Sequence, residues 1–170
     1  MKPEIGRFRR IVEIAANIAI VVVAIFIVGN FILPRLRSKP RISAPAVGSL
    51  VSLSGVDWQK NGNTLVMVLQ KGCRFCEESA PFYQRLQEQR SGPQPRLLAV
   101  TPGDRAETVR YLTDHGILAD DVVNSSLADI RIAATPTLLL VDQAGRVRNA
   151  WVGKLDEKGE KEVETALAPH

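Results

Sequence analysis

Two cysteines are the only thiols of the 170-residue chain, and they stand one helical turn apart as Cys73-Arg74-Phe75-Cys76. The apolar run Thr64-Leu65-Val66-Met67-Val68-Leu69 leads up to them, and Gly72 comes just before Cys73. A buried strand, a glycine turn and a helix that begins at the first cysteine make a reactive-thiol geometry. Free N–H groups and the positive dipole end of a helix both stabilise a thiolate. Arg74 adds a positive charge beside it, so Gly72 and Arg74 are the candidate thiolate-tuning residues. An ordinary cysteine, pKa about 8.5, is only a few per cent thiolate at pH 7, and a value near about 7 makes it half thiolate. That roughly fifteenfold gain outweighs the roughly fivefold loss of nucleophilicity expected at a Brønsted slope of about 0.4–0.5. Cys73 is the candidate attacking thiol, and Cys76 the more enclosed resolving thiol that closes the disulfide.

Two plainer chemistries compete. A C-x-x-C pair is half of a zinc site, but no second pair completes it, and His115 and His170 stand alone. The reading therefore assigns no metal and no cofactor. A purely structural disulfide would close a two-residue loop, which constrains an unfolded chain little. Redox chemistry accounts for the pair better.

Strands and helices must hold these residues. Leu65–Leu69, Arg96–Val100 and Thr137–Val141 are apolar almost throughout, as strands covered on both faces are. Val47–Leu53 alternates enough for an edge strand or hairpin, and Asn61-Gly62-Asn63 marks a turn. Helices are expected from Cys73 through Leu86, with Pro81 removing one backbone bond, from Asp104 to Asp114 with Asp104 as N-cap, and from Glu157 to Leu167. A short strand around Val122-Val123 precedes a helical turn from Ser126. Asp142-Gln143-Ala144-Gly145 turns the chain into a strand over Val147–Trp151.

The C-x-x-C at a strand–helix junction, Pro81 within the helix and Ala134-Thr135-Pro136-Thr137 before a strand together resemble the thioredoxin superfamily. Within it, the chain is most similar to the membrane-tethered, extracytoplasmic TlpA/ResA-like thiol-disulfide oxidoreductases and redoxins. The likeness covers Val47 to the C-terminus. It implies an α/β fold, a three-layer α/β/α sandwich with a mixed central sheet. It also implies a cis Thr135–Pro136 bond facing the cysteines, with the backbone of Thr135 pairing with a bound substrate chain. Without the resemblance the bond would be taken as trans, since only about 5–6% of X–Pro bonds are cis. The long stretch from Cys76 to Pro136 resembles the branch with an inserted strand and helix.

The sequence departs from that pattern at three places. Gly72 stands where an aromatic residue is usual, Met67 where a buried Asp or Asn is frequent, and Ser79 where TlpA/ResA-like members often carry glutamate. The usual proton-transfer partner of the resolving cysteine is thus missing. Glu77 and Glu78 are expected on a solvated helix face, because carboxylates are seldom buried.

Ahead of this domain lie a basic segment, residues 1–10, an apolar stretch, residues 11–33, and a proline-containing basic linker, residues 34–46. Ile14 to Leu33 is twenty residues without a charge, long enough to cross a hydrocarbon layer of about 30 Å. A cleaved signal peptide would have a shorter apolar core and a cleavage site closer to it, and a core helix would show a polar stripe. One N-terminal transmembrane helix is the expectation. Four basic residues precede it and four follow, so charge does not fix its orientation. The resemblance alone places the domain outside the cytoplasm, and the compartment it implies is the periplasm.

The formal net charge is +4, yet eight of the 22 basic residues flank the apolar run along with only Glu4 and Glu13 of the 18 acids. Residues 47–170 keep fourteen basic and sixteen acidic side chains, a net of −2, with no basic stripe of interleaved aromatics, which argues against nucleic acid. The expected partners are protein dithiol or disulfide clients, a membrane or extracytoplasmic thiol redox partner, and lipid around the anchor. A membrane-tethered thiol-disulfide oxidoreductase is the leading function. The alternative is a tethered thioredoxin-fold binding module whose cysteine pair is structural or vestigial.

Overall fold

The computed structural model describes residues 4–28, 30, 44–90, 92 and 95–168. It divides into two compact units, Met1–Arg41 and Ile42–His170. Among the described residues the first holds one helix, α1 (Glu4–Ile27), 24 residues and so about 36 Å long. Ile14, Ile18, Ile20, Val22, Val23, Phe26 and Ile27 are all exposed on it, and at about 3.6 residues per turn these positions go round the helix rather than forming one stripe. Among the described residues no helix is long and apolar enough to cross a membrane. The anchor expected over residues 11–33 runs past them: residues 29 and 31–33, and the linker up to residue 43, lie outside the described residues.

The second unit is built on a five-stranded mixed sheet in the order β3-β2-β1-β4-β5. Its strands are β1 (Thr64–Val68), β2 (Arg96–Thr101), β3 (Asp121–Asn124), β4 (Thr137–Val141) and β5 (Val147–Val152). β1, β2 and β3 run parallel, and β4 is antiparallel to both β1 and β5. Every residue of β1 is buried, as its apolar sequence requires for a central strand. Side chains alternate across the sheet: Leu65 and Met67 enter one core, Val66 and Val68 the other.

The helices of this unit are α2 (Trp58–Asn61), α3 (Arg74–Glu88), α4 (Arg105–Asp114) and α5 (Glu157–Leu167). The last three cover the first core through Phe82, Tyr83, Leu86, Tyr111, Leu112 and Val163. Here the expected α/β/α sandwich needs correction. The second face is closed by Val51, Leu53, Trp58, Ile130 and Ile132, from loops, the four-residue α2 and a turn, not by a layer of long helices. Trp58 substitutes for much of that layer. Its Nε1 donates to the Val51 carbonyl at 3.0 Å, and its ring lies over Gly145, where a Cβ would approach to 2.9 Å.

Other expectations are met or adjusted locally. Asp104 caps α4 by accepting from the Glu107 N–H at 3.0 Å, and α3 runs through Pro81. Val47–Leu53 forms no regular strand; a single bridge joins Leu50 to Arg146. Gly48 and Gly55, both with positive φ, bend that segment before a ladder can extend.

Candidate functional site

The topology brings three chain segments to one end of the sheet. β1 and β4 are antiparallel neighbours with Val68 opposite Thr137, so the end of β1 lies beside the start of β4. Thr137 is also opposite Val152, which places the end of β5 there too. The turn after β1 carries Cys73, the turn before β4 carries Thr135 and Pro136, and the turn after β5 carries Gly153 and Lys154.

Gly72 has φ 73°, and a Cβ added there would meet nothing within 4 Å. Its role is conformational freedom, not close approach. The reversal sets Cys73 as the N-cap of α3, where its sulfur accepts from the Cys76 N–H at 3.2 Å. Cys73 and Cys76 are joined as a disulfide, with Cα atoms 5.2 Å apart. Cys73 is partly exposed, whereas Cys76 is fully buried in the first core with Met67 and Ala80. The two sulfurs are therefore chemically unequal. A thiolate at Cys73 would receive the helix N–H groups, and one at Cys76 would sit among apolar side chains that disfavour charge.

The Thr135–Pro136 bond is cis, and the Thr135 carbonyl oxygen lies 3.5 Å from Cys73 Sγ. In the disulfide that sulfur has no proton; in the thiol form its S–H can donate to this carbonyl. The Pro136 carbonyl accepts from the Gly153 N–H at 2.7 Å, and the Thr137 hydroxyl donates to the Ala134 carbonyl at 2.8 Å. The loop is thus held from both sides.

The structure brings Cys73, Cys76, Thr135, Pro136 and Gly72 to the same end of the sheet. Arg74 is mostly exposed, and its Nε donates to Glu78 Oε1 at 2.7 Å. Lys154 reaches the other oxygen of Glu78 at 2.9 Å. Lys154, more than Arg74, holds the Glu78 carboxyl below the usual carboxylate range. Glu78 is therefore the acceptor of two cations and not simply part of a solvated face. The Arg74–Glu78 half was visible as an i,i+4 spacing. Lys154 was not, because its placement depends on the register of β5.

Ser79, at the position where the resemblance implies a glutamate, is buried and donates to the Phe75 carbonyl at 2.8 Å. Burial pushes the Tyr83 hydroxyl well above its ordinary value, with Ser79 a smaller opposing influence. Among the described residues no three or more His, Cys, Asp or Glu side chains gather in a metal-binding group.

The sequence matches no protein-family model and no curated protein. Solved structures do match. The thioredoxin domain of a thiol-disulfide oxidoreductase from Bacteroides vulgatus aligns at 18% identity and TM-score 0.57, covering 74% of this chain and 100% of that one. A thiol-disulfide isomerase from Corynebacterium glutamicum aligns at 18% identity and TM-score 0.54, covering 78% of this chain and 98% of that one. A thiol:disulfide interchange protein of the DsbE type from Chlorobium tepidum aligns at 16% identity and TM-score 0.54, covering 74% and 100%. Together with the mixed sheet, the cysteine pair at the N-terminus of α3 and the cis Thr135–Pro136 bond, these likenesses establish that the chain has the thioredoxin-like fold.

Proposed function

We propose that this protein is a membrane-tethered thiol-disulfide oxidoreductase that exchanges disulfides with extracytoplasmic proteins. One observation carries the reading: a partly exposed Cys73 sulfur at a helix N-terminus, bonded to a buried Cys76, faces the Thr135 carbonyl. In the oxidised form a client thiolate attacks Cys73 Sγ, breaking the Cys73–Cys76 bond and leaving Cys76 as a thiolate that takes up a proton. Cys76 then re-forms the internal disulfide by displacing the client sulfur, or a second client thiol displaces Cys73 and leaves the protein reduced. Running the sequence backward reduces a client disulfide. Thr135 and Pro136 border the attack path, and the backbone of residue 135 is suited to pair with the client chain. Gly72 and Arg74 tune the thiolate.

The similarity to proteins described as thiol-disulfide isomerases and interchange proteins supports this chemistry. The anchor reading rests on the charge-free run Ile14–Leu33 and on the apolar side chains exposed around α1. The proposed organisation is a basic segment (1–10), an anchor (11–33), a linker (34–46) and a thioredoxin-like domain (47–170). A further thiol protein at or beyond the membrane would return the pair to its working redox state.

The test is reduction of insulin by dithiothreitol, catalysed by the full chain in detergent micelles. Wild type accelerates the reaction and Cys73→Ser lowers it to background. Equal rates for the two would leave a tethered binding module with a structural disulfide as the surviving reading. Retention of the chain in the membrane pellet after alkaline carbonate washing checks the anchor.

A further inference from the structure

Cations surround the cysteine turn, and the structure accounts for where each spends its charge. Lys71, two residues before Cys73, lies 3.6 Å from Glu107 of α4. Arg74 and Lys154 both meet Glu78. An arginine in the first turn of a helix opposes the helix dipole, and placing it before its acidic partner is the weaker i,i+4 order. The Arg74–Glu78 pair is therefore poorly explained as a device for helix stability. Lys154 is foreign to the helix altogether: it lies 76 positions beyond Glu78, on the turn after β5. The residue before it, Gly153, donates its N–H to the Pro136 carbonyl at 2.7 Å. One carboxylate thus connects the first turns of the cysteine helix with the turn that braces Pro136.

We propose that Glu78 is a positioning residue for the thiol chemistry, acting through Arg74 and Lys154 to fix both the positive charge presented to Cys73 and the seating of the Pro136 loop against the cysteine helix. This rests on the oxidoreductase reading and deepens it. With its two oxygens engaged by two different cations, Glu78 offsets part of the positive charge that each would otherwise present to Cys73. Removing the carboxylate releases them. A cation free to approach Cys73 favours its thiolate, hence the reduced pair, and makes the protein a stronger oxidant. Glu77 is the natural control. It is an exposed carboxylate on the same helical turn with no ion pair among the described residues, so it contributes field without organising anything.

The experiment is a double-mutant cycle read in the equilibrium with glutathione. The Cys73–Cys76 disulfide plus two glutathione thiols gives the protein dithiol plus glutathione disulfide, so electrons and protons balance with glutathione as the only co-reactant. Full chains in detergent are compared: wild type, Glu78→Gln, Lys154→Gln, the double variant, and the matching set built on Glu77→Gln. Glu78→Gln shifts the equilibrium toward the reduced protein. Its shift differs by about two- to fivefold between chains that keep Lys154 and chains that carry Lys154→Gln, the coupling expected of a partly exposed ion pair. Glu77→Gln adds independently of Lys154. A second cycle through Arg74→Gln gives coupling of the same sign. All these side chains are at least partly exposed, so the variants fold, and unchanged melting transitions verify it. If the effects of Glu78→Gln and Lys154→Gln simply add, Glu78 is an ordinary surface charge and the proposal fails while the enzyme reading stands. If wild type does not equilibrate with glutathione at all, both fall.

Discussion

Val68 of β1 lies directly opposite Thr137 of β4, and this pairing places Cys73 against Thr135. Each strand is one short turn from one of these two residues, so a slip of register would separate sulfur and carbonyl by a strand repeat. Because Val66 and Val68 must also face the second core while Leu65 and Met67 face the first, burial locks the register. Reactive geometry here follows from core packing.

The unequal burial of the two sulfurs has a kinetic signature. Cys76→Ser leaves Cys73 able to attack a client disulfide with nothing to release the product, so a mixed disulfide accumulates in near-stoichiometric yield. Cys73→Ser, whose remaining thiol is buried, gives a yield at least about tenfold lower. Mass spectrometry after incubation with a disulfide-bonded peptide counts both adducts; equal yields would show that Cys73 holds no privileged position.

Asp120 joins the end of α3 to the edge of the sheet. Its carboxylate accepts two hydrogen bonds from the Arg90 guanidinium and one from the Leu97 N–H at 2.7 Å. Arg90 first, and the Leu97 N–H after it, hold the Asp120 carboxyl below its ordinary value of 3.8, against the opposing effect of partial burial. A depressed folded-state value stabilises the fold above pH 3.8, and that contribution is lost as pH falls through the folded value. Asp120→Asn is expected to cost about 1–2 kcal/mol at pH 7, allowing for the partial exposure of both groups. The difference from wild type narrows below about pH 4. Urea unfolding at pH 7, 5 and 3 checks the trend, and a gap that widened in acid would contradict it.

Tyr111 is buried in the first core, and its hydroxyl has no hydrogen-bond partner among the described residues. Tyr111→Phe removes a desolvated polar atom without opening a cavity, so stability should stay level or rise by about 1 kcal/mol. Burial also pushes the Tyr111 hydroxyl above its ordinary value of 10.0, with Glu77 contributing a smaller push. Stability therefore falls once pH exceeds the unfolded value, where only the unfolded chain ionises freely. Denaturant midpoints at pH 7 and above about pH 10 should show the phenylalanine variant losing part of that alkaline decline.

Arg131 is the one non-glycine residue with a left-handed backbone among those described, at φ 54°. Its N–H donates to the Ala128 carbonyl at 3.0 Å, and Ile130 and Ile132 on either side are buried, so the turn cannot relax to a commoner conformation. Arg131→Gly removes the Cβ conflict and adds backbone entropy to the unfolded chain. The two nearly offset, leaving a net stabilisation of about 0.5 kcal/mol. Arg131→Val at the same exposed site should destabilise by about 1 kcal/mol or more. Thermal unfolding of the pair decides the order.

The sequence by itself determined the local chemistry of this protein. Adjacent residues and simple periods encode the central strands, the N-cap at Asp104, the glycine reversal before Cys73 and the helix that Cys73 begins, and short-range sterics and hydrogen bonding suffice to read them. The Thr-Pro pair before β4 was legible only through a family resemblance, since nothing in a dipeptide says which thiol it will face. Tertiary structure alone decided the rest. That Trp58 and two buried isoleucines would close the second face was hidden, because a face can be covered by any apolar groups that reach it. That Lys154 would meet Glu78 was hidden too, because the meeting depends on the registers of β1, β4 and β5 jointly. Such contacts follow from how whole strands bury their sides, and no local stretch of residues contains that information.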